Sequence, residues 1–176
     1  PQADAAVAIN GEVGECPWNK AHKLMRLGIK GRSIPVSRFP KANYVFLIDV
    51  SGSMNTSDKL DLLKSGLAML VDNLNPQDRI SIVTYSGTVK LLLESTLVSQ
   101  SSTIKKAISS LVASGSTAGG AAMKMAYEEC LKNYIEGGNN RVIMGTDGDF
   151  NVGVTSTDEL LEMAQDYASK GIYLTV

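Results

Sequence analysis

From Tyr44 onward, short continuous apolar runs alternate with segments whose apolar residues recur every three or four positions. Tyr44-Val-Phe-Leu-Ile-Asp-Val50 is an unbroken apolar run closed by a carboxylate, the pattern of a central strand covered on both faces. Residues 57–74 follow with Leu60, Leu63, Leu67, Leu70 and Leu74 on one stripe, which predicts a helix. Arg79 to Tyr85 and Thr88 to Leu93 read as two strands around a two-residue connection, Ser86-Gly87. Ile104, Ala107, Ile108, Leu111 and Val112 mark a short helix that ends in the Ser/Gly-rich loop 113–120. The next helix, about 119–135, carries Ala122, Met123, Ala126, Tyr127, Cys130, Leu131 and Tyr134 at helical spacing. Arg141 to Thr146 reads as a strand and 147–153 as a turn. A helix over 157–169 and a strand from Ile172 to Val176 finish the chain.

Strand and helix alternating at this rhythm predict an α/β fold: a three-layer, doubly wound, mostly parallel sheet with helices on both faces. Strand 88–93 is the expected antiparallel exception, at an edge. Residues 1–43 differ in character. Val7 to Val13 and Lys23 to Lys30 read as strands separated by the Cys16-Pro-Trp-Asn turn, and Pro35 and Pro40 mark a linker. The expected organisation is therefore a small N-terminal β-appendage over 1–43 and an α/β domain over 44–176. Because the chain ends on a strand, the C-terminal part of that domain is expected to be missing. Because it begins Pro-Gln-Ala-Asp without Met, it is expected to derive from a longer protein.

Composition narrows the chemistry. With 176 residues, 44% apolar and 20% charged, the chain can bury an ordinary core without disulfides or metals to hold it. A formal net charge of −1 argues against general affinity for nucleic acid or acidic membranes. No apolar run is long enough to cross a bilayer. Cys16 and Cys130 are too few for a disulfide framework and too far apart for a Cys-x-x-Cys site. Cys130, on an apolar helical stripe, reads as a core thiol. The single histidine, His22, lies outside the α/β part, so no Ser-His-Asp or Cys-His arrangement is available there. No Gly-x4-Gly-Lys-Ser/Thr loop is present.

The candidate chemistry sits where the first buried strand ends. Asp49-Val-Ser51-Gly-Ser53 places three oxygen side chains at alternate positions of a turn, and Gly52 allows that turn to be tight. In open α/β sheets this carboxyl edge is where ligands bind. Oxygen-only ligands with hydroxyls among them suit a hard cation, Mg²⁺, Mn²⁺ or Ca²⁺, rather than zinc. Asp147 arrives at the end of another central strand, and Thr117 in the Ser/Gly-rich loop can supply a fifth oxygen. Asp149 competes with Asp147 but lies two residues further from the strand end. The plain alternatives are a helix N-cap for Asp49, Ser51 and Ser53, a loop hydroxyl capping the next helix for Thr117, and an Asx-turn for Asp147.

Taken together, FLIDVSGSM, SGSTAGG and IMGTDGDFN resemble, in order and spacing, the metal-ion-dependent adhesion site of von Willebrand factor type A domains, over residues 44–176. The resemblance implies a Rossmann-like fold without catalysis, with Mg²⁺ held by Ser51, Ser53 and Thr117 directly and by Asp49 and Asp147 directly or through water. It also implies a partner protein that completes the cation's shell with an Asp or Glu carboxylate. The segment CPWNKAHKLMRLGIKGR is similar to the stretch before this domain in bacterial proteins expected to be exported or lipid-anchored, which implies an extracytoplasmic location. Two rivals remain. A haloacid-dehalogenase-like phosphatase would use Asp49, Thr84 and Asp147 or Asp149, but Ser51 stands where that class needs an acid/base carboxylate. The other is an assembly subunit with a vestigial metal site.

Overall fold

The computed structural model describes residues 5–32, 38–115, 120–148 and 156–176. The chain divides into two compact units, Pro1–Phe39 and Pro40–Val176.

In the first unit, β1 (Val7–Glu15) and β2 (Lys23–Gly31) form an antiparallel ribbon in which Val7 faces Gly31 and Glu15 faces Lys23. Strand alternation places Val7, Ile9 and Val13 on one face with Met25, Leu27 and Ile29 from the opposite strand. Glu12 and Arg26 pair across the other face at 3.1 Å.

The second unit contains β3 (Ala42–Asp49), α1 (Leu60–Asp72), β4 (Arg79–Tyr85), β5 (Val89–Leu97), α2 (Ser101–Ser109), α3 (Gly120–Lys132), β6 (Asn139–Gly145), α4 (Thr157–Ser169) and β7 (Ile172–Thr175). Its five-stranded sheet runs in the order β5-β4-β3-β6-β7. All neighbours are parallel except β4 and β5, so the antiparallel strand lies at an edge as expected. Two details depart from the sequence reading. The β4–β5 connection is three residues, because Tyr85 pairs with Val89, and β5 continues past a register irregularity to Leu97. Helix α2 starts earlier and stops at Ser109, which leaves Val112 exposed in the following loop.

The period of two along β3 explains the layering. Val45 and Leu47 point to one face, where they meet Val83, Val142 and Met144 under Ala122, Met123, Ala126, Tyr127 and Cys130 of α3. Helix α4 joins that layer through Leu160, Met163 and Tyr167, whose ring stacks on Tyr127 at 4.3 Å. Leu131 and Tyr134, expected on the buried stripe of α3, are 44% and 42% exposed instead, and Tyr134 lies past the helix end. Phe46 and Ile48 point to the other face, against Leu60, Leu67 and Val71 of α1 and Ile104 and Ile108 of α2. Both faces being covered is why β3 reads as a continuous apolar run.

Strand β3 is the switch point. From it the chain moves outward to β4 in one direction and, after α3, returns to β6 on its other side. The adjacent carboxyl ends of β3 and β6 therefore open the crevice in which doubly wound sheets bind ligands.

A polar cluster secures the opposite end of the sheet. Asp78, buried before β4, accepts the Ala42 amide through Oδ1 and the Asn75 amide through Oδ2, each at 2.8 Å. Asn43 donates to the Cys130 carbonyl at 2.9 Å and to Asn140 Oδ1 at 3.3 Å.

Candidate metal centre at the carboxyl ends of β3 and β6

Asp49 is the last residue of β3 and is fully buried. Its parity matches Val45 and Leu47, so its carboxylate lies on the α3 side of the sheet. Tyr85, directly opposite it on β4, and Thr146, just beyond β6, belong to the same row. Thr146 Oγ1 donates to Asp49 Oδ2 over a long 3.4 Å, and the Ser51 amide donates to Asp49 Oδ1 at 2.8 Å. Burial pushes the Tyr85 phenol well above its ordinary range, and the negative Asp49 adds to this against a hydrogen bond with Thr146. The Tyr85 hydroxyl therefore stays protonated beside the carboxylate.

Past Asp49 the chain turns through a single 3-10 turn, Gly52–Met54, before α1 begins. That turn brings the Ser51 and Ser53 hydroxyls to 3.0 Å from each other, with Ser51 buried and Ser53 exposed. The Ser51 side chain caps nothing, so the N-cap alternative for it is not realised. Gly52 has no special backbone angle, but it lies close against the loop after α2. Its amide donates to the Gly115 carbonyl at 3.0 Å, and a Cβ there would sit 3.4 Å from that oxygen. The Ser114 amide likewise donates to the Val50 carbonyl at 2.7 Å. These two bonds clip the loop after α2 onto the Asp49–Ser53 turn. Thr117 and Asp149 lie outside the described residues.

Asp147 has the opposite parity and belongs to the α1 side. Its side chain is 9% exposed, and its Oδ2 accepts the Lys59 ammonium at 2.8 Å. Lys59 also donates to the Ser53 carbonyl at 2.9 Å. Gly145 leaves room here for Leu63 of α1, since a Cβ would fall 2.7 Å from Leu63 Cδ2. An open groove of about 480 Å³ runs beside the pair, walled by Met54, Leu62, Leu63 and Gly145.

Of the residues singled out from the sequence, Asp49, Ser51, Ser53 and Asp147 thus lie at one sheet edge. Sequence reading missed Lys59, Thr146 and Tyr85. The first is hidden in a helical segment, and the other two become neighbours of Asp49 only through strand pairing. Thr84, which the phosphatase alternative needs beside Asp49, sits on the opposite face of β4 and turns to the Lys90 carbonyl on the edge strand at 3.4 Å.

The donor set fits a hard divalent cation: a buried carboxylate, two converging hydroxyls and a second carboxylate, with no sulfur or imidazole among them. No group of three or more His, Cys, Asp or Glu side chains placed to hold a metal occurs among the described residues, so hydroxyls would have to carry part of the coordination.

A doubly wound α/β domain with oxygen side chains gathered past the carboxyl ends of its switch-point strand and that strand's neighbour is what this fold and site define. The chain belongs to the von Willebrand factor type A domain family, whose match covers residues 44–150. It is 40% identical over 168 residues to the uncharacterised protein YfbK of Escherichia coli strain K12, an alignment covering 96% of this chain and 29% of that one. The chain thus spans under a third of that relative's length. Among solved structures it is similar to the conserved hypothetical protein BatB from Bacteroides thetaiotaomicron, with TM-score 0.63 and 26% identity over 77% of this chain and 65% of that one. It also shares its fold with proximal thread matrix protein 1 of the mussel byssus, solved with a zinc-occupied MIDAS motif, at TM-score 0.61 and 24% identity, covering 77% of this chain and 37% of that one.

Proposed function

We propose that this domain is a non-enzymatic, divalent-cation-dependent protein-binding module. Asp49, Ser51, Ser53 and Asp147, with Thr117, hold Mg²⁺, and the cation accepts an Asp or Glu carboxylate from a partner protein. The observation that carries the reading is the 3.0 Å approach of the Ser51 and Ser53 hydroxyls beside the buried Asp49 carboxylate. The zinc-occupied motif of the mussel protein, in a domain of the same fold, supports a metal at this edge. Mg²⁺ is favoured because it retains exchangeable waters and leaves a position for an outside oxygen; Mn²⁺ and Ca²⁺ share the ligand preference. Where Asp49 and Asp147 act through water, the direct ligands are neutral hydroxyls, and a partner carboxylate supplies the anionic oxygen that the cation lacks. The groove beside Asp147 gives room for the residues flanking that carboxylate.

We place the domain outside the cytoplasm, on the resemblance of its first unit to the corresponding stretch of exported proteins. Among the described residues no helix is long and apolar enough to cross a membrane.

The test is calorimetric titration of the wild type and Asp49→Ala with Mg²⁺, Mn²⁺, Ca²⁺ and Zn²⁺, followed by water-proton relaxation of the Mn²⁺ form as an Asp-containing peptide is added. Wild type is expected to bind and Asp49→Ala to lose binding, with the peptide reducing the relaxation enhancement as it displaces metal-bound water. Thermal unfolding gives a second readout, since cation at 100 times its dissociation constant stabilises the fold by about 2.7 kcal/mol. No uptake of any cation by the wild type overturns the reading. Uptake without an effect of the peptide overturns the partner-carboxylate half of it.

A further inference from the structure

The ion pair between Lys59 and Asp147 puts a cation inside the proposed metal site. Lys59 immediately precedes α1, at the positive end of that helix's dipole, where a cation works against the field. Its ammonium nevertheless turns back over the Ser53 carbonyl to reach Asp147. Asp147 is nearly buried, and a carboxylate there without a counter-charge is costly. The ammonium therefore stabilises the metal-free arrangement. Resting on the metal-binding reading above, we infer that Lys59 is a resident counter-cation that competes with the divalent metal for Asp147 and sets the affinity of the site.

The geometry makes the competition direct. One carboxylate oxygen is taken by the ammonium, and that ammonium is anchored to the backbone of the residue whose hydroxyl is a proposed ligand. A divalent cation among Ser51, Ser53 and Asp147 brings two positive charges against the single charge of Lys59. Either the ammonium leaves Asp147 or the metal is held less tightly. Leaving is feasible, because the Lys59 side chain is 37% exposed and has a flexible four-carbon stem. The free energy that Lys59 contributes to the metal-free form is then absent from the metal-bound form. By linkage it appears as weaker metal binding.

Removing the charge while keeping the stem should reverse this. Lys59→Met is expected to bind Mg²⁺ about tenfold more tightly or better, equivalent to one decade in dissociation constant. Its unfolding midpoint should drop in EDTA and recover in saturating Mg²⁺. Lys59→Arg, which keeps the charge, should stay near wild-type affinity, and Lys59→Gln serves as the second neutral variant should Lys59→Met not fold. A neutral variant that folds only with Mg²⁺, or that binds Mg²⁺ at least about tenfold more tightly than wild type, supports the inference. Equal or weaker binding by the neutral variants, with wild type binding normally, overturns it and makes Lys59 a positioning residue for Asp147. Absence of binding by wild type and every Lys59 variant instead overturns the metal reading itself.

Discussion

Asp78 allows the tertiary structure to be tested quantitatively, because its carboxylate ties the start of β3 to the turn before β4 while its backbone carbonyl holds the segment after β5. Its Oδ1 accepts the amide of Ala42, where β3 starts, and its Oδ2 accepts the amide of Asn75 in the turn leaving α1. Its own carbonyl accepts the Val98 amide at 2.9 Å, just past β5. Replacing Asp78 with Ala leaves the backbone bond to Val98 and removes the other two. Ala42 is buried, so its amide loses its acceptor where water cannot substitute; the Asn75 amide is half-buried and loses less. An unmade hydrogen bond at a buried amide costs about 1–3 kcal/mol, so the two together should cost about 2–5 kcal/mol. Asp78→Asn keeps one oxygen but turns an NH₂ toward one of the two amides, and should lose roughly half as much. Urea unfolding followed by far-ultraviolet circular dichroism reads the effect. With a slope of about 2 kcal/mol/M, the midpoint for Asp78→Ala should fall by about 1–2.5 M at unchanged slope. Because the cluster is at the other end of the sheet from Asp49, Mg²⁺ affinity measured on the folded variant should match wild type. A loss below about 1 kcal/mol at unchanged slope would refute the claim that this carboxylate holds the strand in place.

Alkaline pH should weaken the fold. Burial raises the Cys130 thiol from 9.0 to about 12 and the Tyr127 phenol from 10.0 to about 12. Each group stays neutral in the folded chain while its unfolded counterpart ionises. The stability it contributes is complete below the unfolded value and is lost as pH rises toward 12, at up to about 1.4 kcal/mol per pH unit per group. Chemical denaturation between pH 8 and 11 should show this decline starting near pH 9, and a smaller slope in Cys130→Ala; a flat profile contradicts the assignment. Gly145→Val should cost about 1–3 kcal/mol by overpacking against Leu63, read by thermal unfolding. Unchanged stability would show that the corner is slack.

Much of this molecule is legible in one dimension because its determinants are local. The unbroken run of β3, the leucine stripe of α1 and the Ser/Gly-rich loop each announce an element by periodicity, and the element order then admits few topologies. Helix 157–169 has the same bounds in the sequence pattern and in the structure, where Ser156 and Glu159 form a capping box at its start: Ser156 Oγ accepts the Glu159 amide and Glu159 Oε2 accepts the Ser156 amide. The ligand candidates were legible for the same reason, as they cluster at the ends of recognisable strands. Errors arose where competition between burial sites decides. Leu131 matches the spacing of α3 but is exposed, Tyr134 lies beyond the end of α3, and Val112 lies beyond the end of α2.

Strand pairing and helix approach decided what remained. Tyr85 and Thr146 reach Asp49 only because β4 and β6 flank β3 in parallel register, contacts 36 and 97 residues apart that no local pattern encodes. Lys59 looks like an ordinary polar helix residue until the fold brings its ammonium to Asp147 beyond β6. The sequence determines which residue types stand at the sheet edge, because strand ends follow from periodicity. Which charges face each other across that edge depends on packing between remote elements, and only the folded chain decides it.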